Sequence, residues 1–228
     1  MARRLLPLAL ALSLTSGLLV SPPAHAESPA NALTLLSGQD LAAWELITLP
    51  DTPADLATVC QLKPDGVLAV TGKPVSYLAT KASYENYRLQ AEWRWPATAP
   101  ENSNSGFLLH VSSGPANGTA WPVCFQVQLK HTRAGDILPM AGATFAEKLS
   151  SAPGAKTPQR ERFAADSEVP RGEWNTCDIV CRDGLIEVTI NGVLQNRVTH
   201  CTPAAGKIGI QLEGAPFELR KLRLLQLP

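Results

Sequence analysis

The chain has 228 residues, with 20 basic and 20 acidic side chains, so its formal charge at neutral pH is zero. Near-neutrality without a basic cluster argues against nucleic acid as a partner. The length suits a single all-β domain that buries a real core without needing disulfides.

The first residues carry the pattern of a targeting segment. Arg3-Arg4 form a basic start, Leu5 to Val20 is apolar, and Ala24-His25-Ala26 is a small-residue cleavage pattern. The apolar run is short and is broken by Pro7, Ser13, Ser16 and Gly17, which does not suit a membrane span. Residues 1–26 are therefore expected to be a signal peptide and 27–228 one domain, in a periplasmic or secreted protein.

From Leu33 onward the chain reads as short strands punctuated by Gly, Pro, Asn and Asp. Gly66 to Thr71 and Ser76 to Thr80 are early strands. Between Asn86 and His131 three more are expected. In the first, Arg88, Gln90, Glu92 and Arg94 alternate with Leu89, Ala91, Trp93 and Trp95, the period-two pattern of a half-buried strand. The second ends with Leu108 and His110 on one face; the third, Val123 to Lys130, sets Gln126, Gln128 and Lys130 against Phe125, Val127 and Leu129. If the three lie side by side, Glu92, Arg94, His110, Gln126 and Gln128 converge on one polar surface suited to hydroxyl-rich ligands; an ordinary solvated face reads the same way.

Ser112 to Pro122 reads as a loop, and Gly142 to Gly172 as a long connection of the kind that forms lids or binding loops, or a tether without a role. Trp174 to Arg182, Leu185 to Ile190 and Val193 to Val198 form a meander through the turns Asp183-Gly184 and Asn191-Gly192. Lys207 to Glu213 and Phe217 to Leu227 close the domain. Strands at this spacing predict a sandwich or jelly roll.

Five cysteines follow the signal segment. In an oxidising compartment one or two bridges are expected. Cys177 and Cys181 would lie four residues apart on a strand, roughly 13 Å, beyond the Cα separation of about 7 Å that a bridge tolerates. They are expected as buried free thiols, and Cys124–Cys201 as a bridge. No spacing matches a zinc site.

Several motifs then match a known family in order. Leu35-Leu36-Ser37-Gly38-Gln39-Asp40-Leu41 with Trp44 is similar to an opening "LFNGKDLSGW". Asn86-Tyr87-Arg88-Leu89, Glu92-Trp93-Arg94, Asn104-Ser105-Gly106-Phe107 and Trp121 to Leu129 follow. Gly135-Asp136, Gly172-Glu173-Trp174-Asn175, Ile190-Asn191-Gly192 and Gly206 to Gln211 complete the set. The chain resembles the 3-keto-disaccharide hydrolase-like domain family. The resemblance implies a concanavalin A-like jelly-roll sandwich of two antiparallel sheets, one concave and sugar-holding. It also implies cleavage of glycosides oxidised to a ketone at the third sugar carbon. A ketone there acidifies the C2 proton, so a base can form an enolate that expels the anomeric substituent. That route does not need the paired carboxylates of ordinary glycosidases. One departure bears on the chemistry: Gln126 stands where the family usually has Glu, and an amide cannot act as a base. This leaves a non-catalytic carbohydrate-binding module as the rival.

The candidate catalytic residues are His131, Glu92, His110 and Asp136. Candidate substrate contacts are Arg94, Asn104, Trp121, Gln126, Gln128, Lys130 and Gln211, with Glu213 and Glu218 as weaker possibilities. Each has a plainer role open to it. His131 can be an exposed loop histidine, Glu92 and Arg94 a surface ion pair, Asp136 a turn residue or cation ligand, and Trp121 core packing. The expected partner is an oxidised disaccharide or other glycoside. No cofactor is evident; a divalent cation is possible, but no acidic loop has the ligand density to demand one.

Overall fold

The computed structural model describes residues 32–36, 41–114 and 119–228. The predicted signal segment lies outside them. Among the described residues, fourteen strands, β1 to β14, form two antiparallel sheets, with one short helix, α1 (Leu56–Val59).

The eight-stranded sheet has β6 (Tyr87–Arg94) between β10 (Asn175–Arg182) and β14 (Phe217–Gln226). β11 (Leu185–Ile190) and β12 (Val193–Val198) extend it on the β10 side, while β4 (Leu68–Val70) and β3 (Cys60–Leu62) continue beyond β14, which also pairs β1 (Ala32–Thr34). The six-stranded sheet runs β2 (Trp44–Thr48), β5 (Ser76–Tyr84), β13 (Gly206–Leu212), β7 (Gly106–Ser113), β8 (Val123–Gln128), β9 (Ile137–Met140). β1, β2, β3 and β9 were not expected; none has more than five residues, so each offers little or no alternation to mark it.

Alternation in β6 is regular: Tyr87, Leu89, Ala91 and Trp93 enter the core between the sheets, and Arg88, Gln90, Glu92 and Arg94 stay outside. Trp93 and Trp95 meet edge to face at 5.8 Å, and Trp95 meets Phe217 at 5.9 Å. In the meander, Asp183 and Asn191 take φ values of 49° and 50° ahead of Gly184 and Gly192, the left-handed pairs that a tight hairpin requires.

Three expectations are corrected. β6 does not lie beside β7 and β8 but in the opposite sheet, so Glu92 and Arg94 point away from the polar face of β8. His110 leaves the polar face as well. Its φ of 54°, at a break in the β7–β8 register, interrupts the alternation, so the ring turns into the core between Tyr87 and Phe125. Cys124 and Cys201 are both free and lie in different apolar clusters, so they form no bridge. Cys177 and Cys181 are buried free thiols facing the core beside Ile179.

Candidate functional site

The outer face of the six-stranded sheet carries a cleft of about 930 Å³. Its floor is built by strand parity. Gln126 and Gln128 leave β8 on the same side, opposite Phe125 and Val127, which face the core. Gln211 reaches them from β13: Gln126 Nε2 donates to Gln211 Oε1 and to Gln128 Oε1, both at 2.9 Å. All three amides are buried. Gly106 makes this approach possible, because a Cβ there would lie 2.8 Å from Gln126 Cγ and from the Val127 carbonyl oxygen.

Glu213 stands two residues beyond Gln211, on the same side of the chain, and lines the cleft. Asn104 Nδ2 donates to Glu213 Oε2 at 2.6 Å, while Asn104 Oδ1 is buried without a partner among the described residues. Burial raises the Glu213 carboxyl above its ordinary value, against opposing pulls from Lys130 and Asn104. Asp136 lies at the same end, where its backbone carbonyl accepts from Gln128 N. Its carboxyl is also raised by burial, although Oδ1 accepts from Arg162 N at 2.8 Å.

The segment from Gly142 to Gly172 is a wall rather than a tether. Arg160 bridges to Ile137, Glu147 accepts from Thr199 N and Oγ1 at 2.8 Å, and Asn196 Nδ2 donates to Arg160 O at 3.0 Å. Leu149 and residues 156–159 thereby line one side of the cleft.

Asn104, Trp121, Gln126, Gln128, Lys130, Asp136 and Gln211 are thus brought together as cleft residues. Five candidates are not. Glu92 lies on the outer face of the eight-stranded sheet, held by Arg220 at 2.6 Å and Lys221 at 2.7 Å. Arg94 lies on that face with Glu218. His110 Nδ1 is 3.1 Å from Pro203 O, and burial pushes its pKa down to about 4. His131 is not part of the cleft lining; its Nδ1 is 2.9 Å from Glu168 Oε1, whose other oxygen accepts from Thr132 N. The cleft contains no histidine among the described residues. Among the described residues its carboxyls are Asp136 and Glu213, and Glu213, a weaker expectation than Gln211 from the sequence, shares the parity of Gln211. Among the described residues no group of three or more His, Cys, Asp or Glu is placed to hold a metal ion, and no helix is long and apolar enough to cross a membrane.

A family model for a 3-keto-alpha-glucoside-1,2-lyase-like domain matches residues 31–225. No curated protein matches. A glycosyl hydrolase, described as putative, from Parabacteroides distasonis is similar with a TM-score of 0.62 and 20% identity, over 87% of this chain and 95% of that one. The carbohydrate binding module CBM66 from Bacillus subtilis matches at a TM-score of 0.52 and 8% identity, over 79% and 94% of the two chains. A Bacillus licheniformis β-glucanase matches at 0.55 and 10%, over 88% and 100%. At these identities the likeness establishes the jelly-roll fold.

Proposed function

The chain belongs to the 3-keto-alpha-glucoside-1,2-lyase-like domain family, and from that membership we propose that its cleft binds a glycoside with a ketone at the third sugar carbon and expels the anomeric substituent. The observation that carries this reading is Glu213, a carboxyl raised by burial, beside Lys130 and three buried amides.

Glu213 takes the C2 proton, and the electrons of the C2–H bond pass into an enolate on the C3 oxygen. A carboxyl with a raised pKa is a better base than an ordinary one. Lys130 and the amide N–H groups supply positive charge and donors for the enolate oxygen. The enolate then reforms the ketone, the C1–C2 double bond forms, and the bond from C1 to the leaving oxygen breaks. That oxygen takes a proton, and addition of water across C1–C2 completes net hydrolysis. No oxidant or reductant is consumed. Export to the periplasm or medium, read from residues 1–26, belongs to the same proposal.

Incubating the protein with a 3-keto glycoside and following sugar release tests the reading. Release that disappears in Glu213→Gln supports it. A second reading, a sugar-binding module without chemistry, is favoured by Gln126, an amide bonded to two other amides where the family usually has Glu. Sugar binding by calorimetry without any release of product establishes that second reading instead.

A further inference from the structure

We propose that Gln128 receives the ketone oxygen of the sugar, and that Gln126 aims it there by fixing which end of its amide faces the cleft. The inference rests on the reading above for the identity of the sugar, but not on its cleavage.

A primary amide carries two N–H donors on nitrogen and two lone pairs on oxygen, so turning it over exchanges what it offers a ligand. The three amides of the floor are not free to turn, because their chain of bonds begins at a backbone group. Lys130 N can only donate, and it lies 3.3 Å from the end of the Gln128 side chain, so the atom there is Oε1. Gln126 meets that same oxygen at 2.9 Å, and its own atom at this contact is therefore the nitrogen. The second hydrogen of Gln126 Nε2 goes to Gln211, which answers with Oε1, again at 2.9 Å. Gln211 Nε2 returns to Gln126 Oε1 at 3.4 Å. One backbone N–H thus sets the polarity of all three side chains.

This leaves Gln128 one-sided. Both lone pairs of its oxygen are taken, by Gln126 and by Lys130 N. Its nitrogen donates to no residue among the described ones and is not sealed off, since Gln128 lines the cleft. A ligand therefore meets two N–H groups there and no acceptor. A hydroxyl both donates and accepts, whereas a ketone or enolate oxygen only accepts. The amide end turned to the cleft suits the oxidised position, and its bonds strengthen as negative charge gathers on that oxygen. Acceptors for the sugar's hydroxyls stand elsewhere in the cleft, in Asp136, Glu213 and the unpartnered Oδ1 of Asn104.

Gln126 then has a task that a carboxylate could not perform. Glu at this position would set an acceptor against the oxygens of Gln128 and Gln211. To escape that contact, Gln128 would turn its nitrogen inward, give up Lys130 N and withdraw its donors from the ligand. Gln126 is in this sense a positioning residue, acting through Gln128.

Calorimetry with a 3-keto C-glucoside, whose carbon-linked substituent cannot be expelled, and with the same C-glucoside unoxidised reads recognition apart from turnover. Gln128→Glu keeps the acceptor for Gln126 and Lys130 N but turns an oxygen to the ligand. It is expected to weaken binding of the keto sugar relative to the unoxidised one about tenfold. Gln126→Glu is expected to lower the same ratio in the same direction. In the natural protein, the keto sugar is expected to shift the Gln128 side-chain amide signals in a nitrogen–proton correlation spectrum, a readout that needs no variant to fold. A ratio that Gln128→Glu leaves unchanged, or Gln128 amide signals that stay still while the keto sugar binds, overturns the assignment. A ratio lowered by Gln128→Glu but untouched by Gln126→Glu overturns the positioning role. Sugar release from a 3-keto glycoside decides the elimination separately. Release with an unmoved ratio leaves the elimination standing without this role for Gln128, and a lowered ratio without release does the reverse. Binding of neither probe together with no release overturns both.

Discussion

Two sheet faces of this protein are polar, and their polar groups are satisfied in different ways. On the outer face of the eight-stranded sheet the charges are matched. Arg88 meets Asp178 at 2.6 Å, Glu218 is held by Arg94 and by Lys63, and Glu92 by Arg220 and Lys221. The Trp174 ring lies 4.4 Å from the Arg94 guanidinium and 4.0 Å from that of Arg220. Burial by itself would raise Glu92 and Glu218, but hydrogen bonds from their cationic partners outweigh it and hold both carboxyls below the ordinary value. On the face of the six-stranded sheet that carries the cleft, burial prevails. Glu213 and Asp136 are raised, Asn104 Oδ1 has no partner among the described residues, and the amides line open space. Polarity alone does not mark a site. Hydrogen-bonding capacity left unsatisfied in a desolvated cleft does.

The comparison breaks first at Glu213. Replacing it with Gln is expected to lower kcat on a 3-keto glycoside about 10²- to 10⁴-fold. The same variant is expected to melt higher at neutral pH. A carboxyl whose folded pKa is raised contributes stability below the unfolded value and loses it as pH rises through the folded value. The gain from Gln should therefore appear above the raised value and vanish in acid, as thermal melts across pH will show. Unchanged turnover returns the base to another group.

Gln126→Glu is the next largest effect. It removes a donor shared by Gln128 and Gln211 and buries an acceptor among acceptors, at a cost of about 1–3 kcal/mol in denaturant unfolding at neutral pH. A buried carboxyl of raised pKa regains its proton as pH falls, so the penalty should shrink in acid. A penalty independent of pH would point to packing instead.

On the other face, Glu92→Gln should cost less than about 1 kcal/mol and leave turnover unchanged. The contribution of a depressed carboxyl exists above the unfolded value and is lost as pH falls through its folded value. The variant and the natural protein should thus converge in strong acid. A loss of turnover would bring that face back into the function. His131→Ala is expected to have the smallest effect on kcat, because its imidazole is engaged with Glu168 outside the cleft.

Much of the architecture was legible in the chain, and the reason is local. Alternation in β6 and β8, the two Asx-Gly hairpins and the ordered family motifs each depend on neighbouring residues. Gln126, Gln128 and Gln211 were recognisable as a polar face because side chains on a strand change sides at every residue. Glu213 obeys the same parity at the end of the strand expected from Lys207 to Glu213, and its standing in the cleft comes from its contact with Asn104, which is distant in sequence. The wall from Gly142 to Gly172 was not legible, since its shape comes from bonds to β12 and to the ends of β9 and β12, far away in sequence.

What the sequence determined by itself is which side chains share a face, since a period of two is a property of the extended backbone. Which faces then meet was decided by tertiary structure alone. β6 alternates as expected, yet it pairs β10 and β14, so Glu92 and Arg94 belong to the opposite surface from Gln126. His110 fits the alternation on paper, but one residue in the left-handed region turns its ring into the core. Strand pairing and bulges depend on contacts between distant segments, and no local periodicity encodes them.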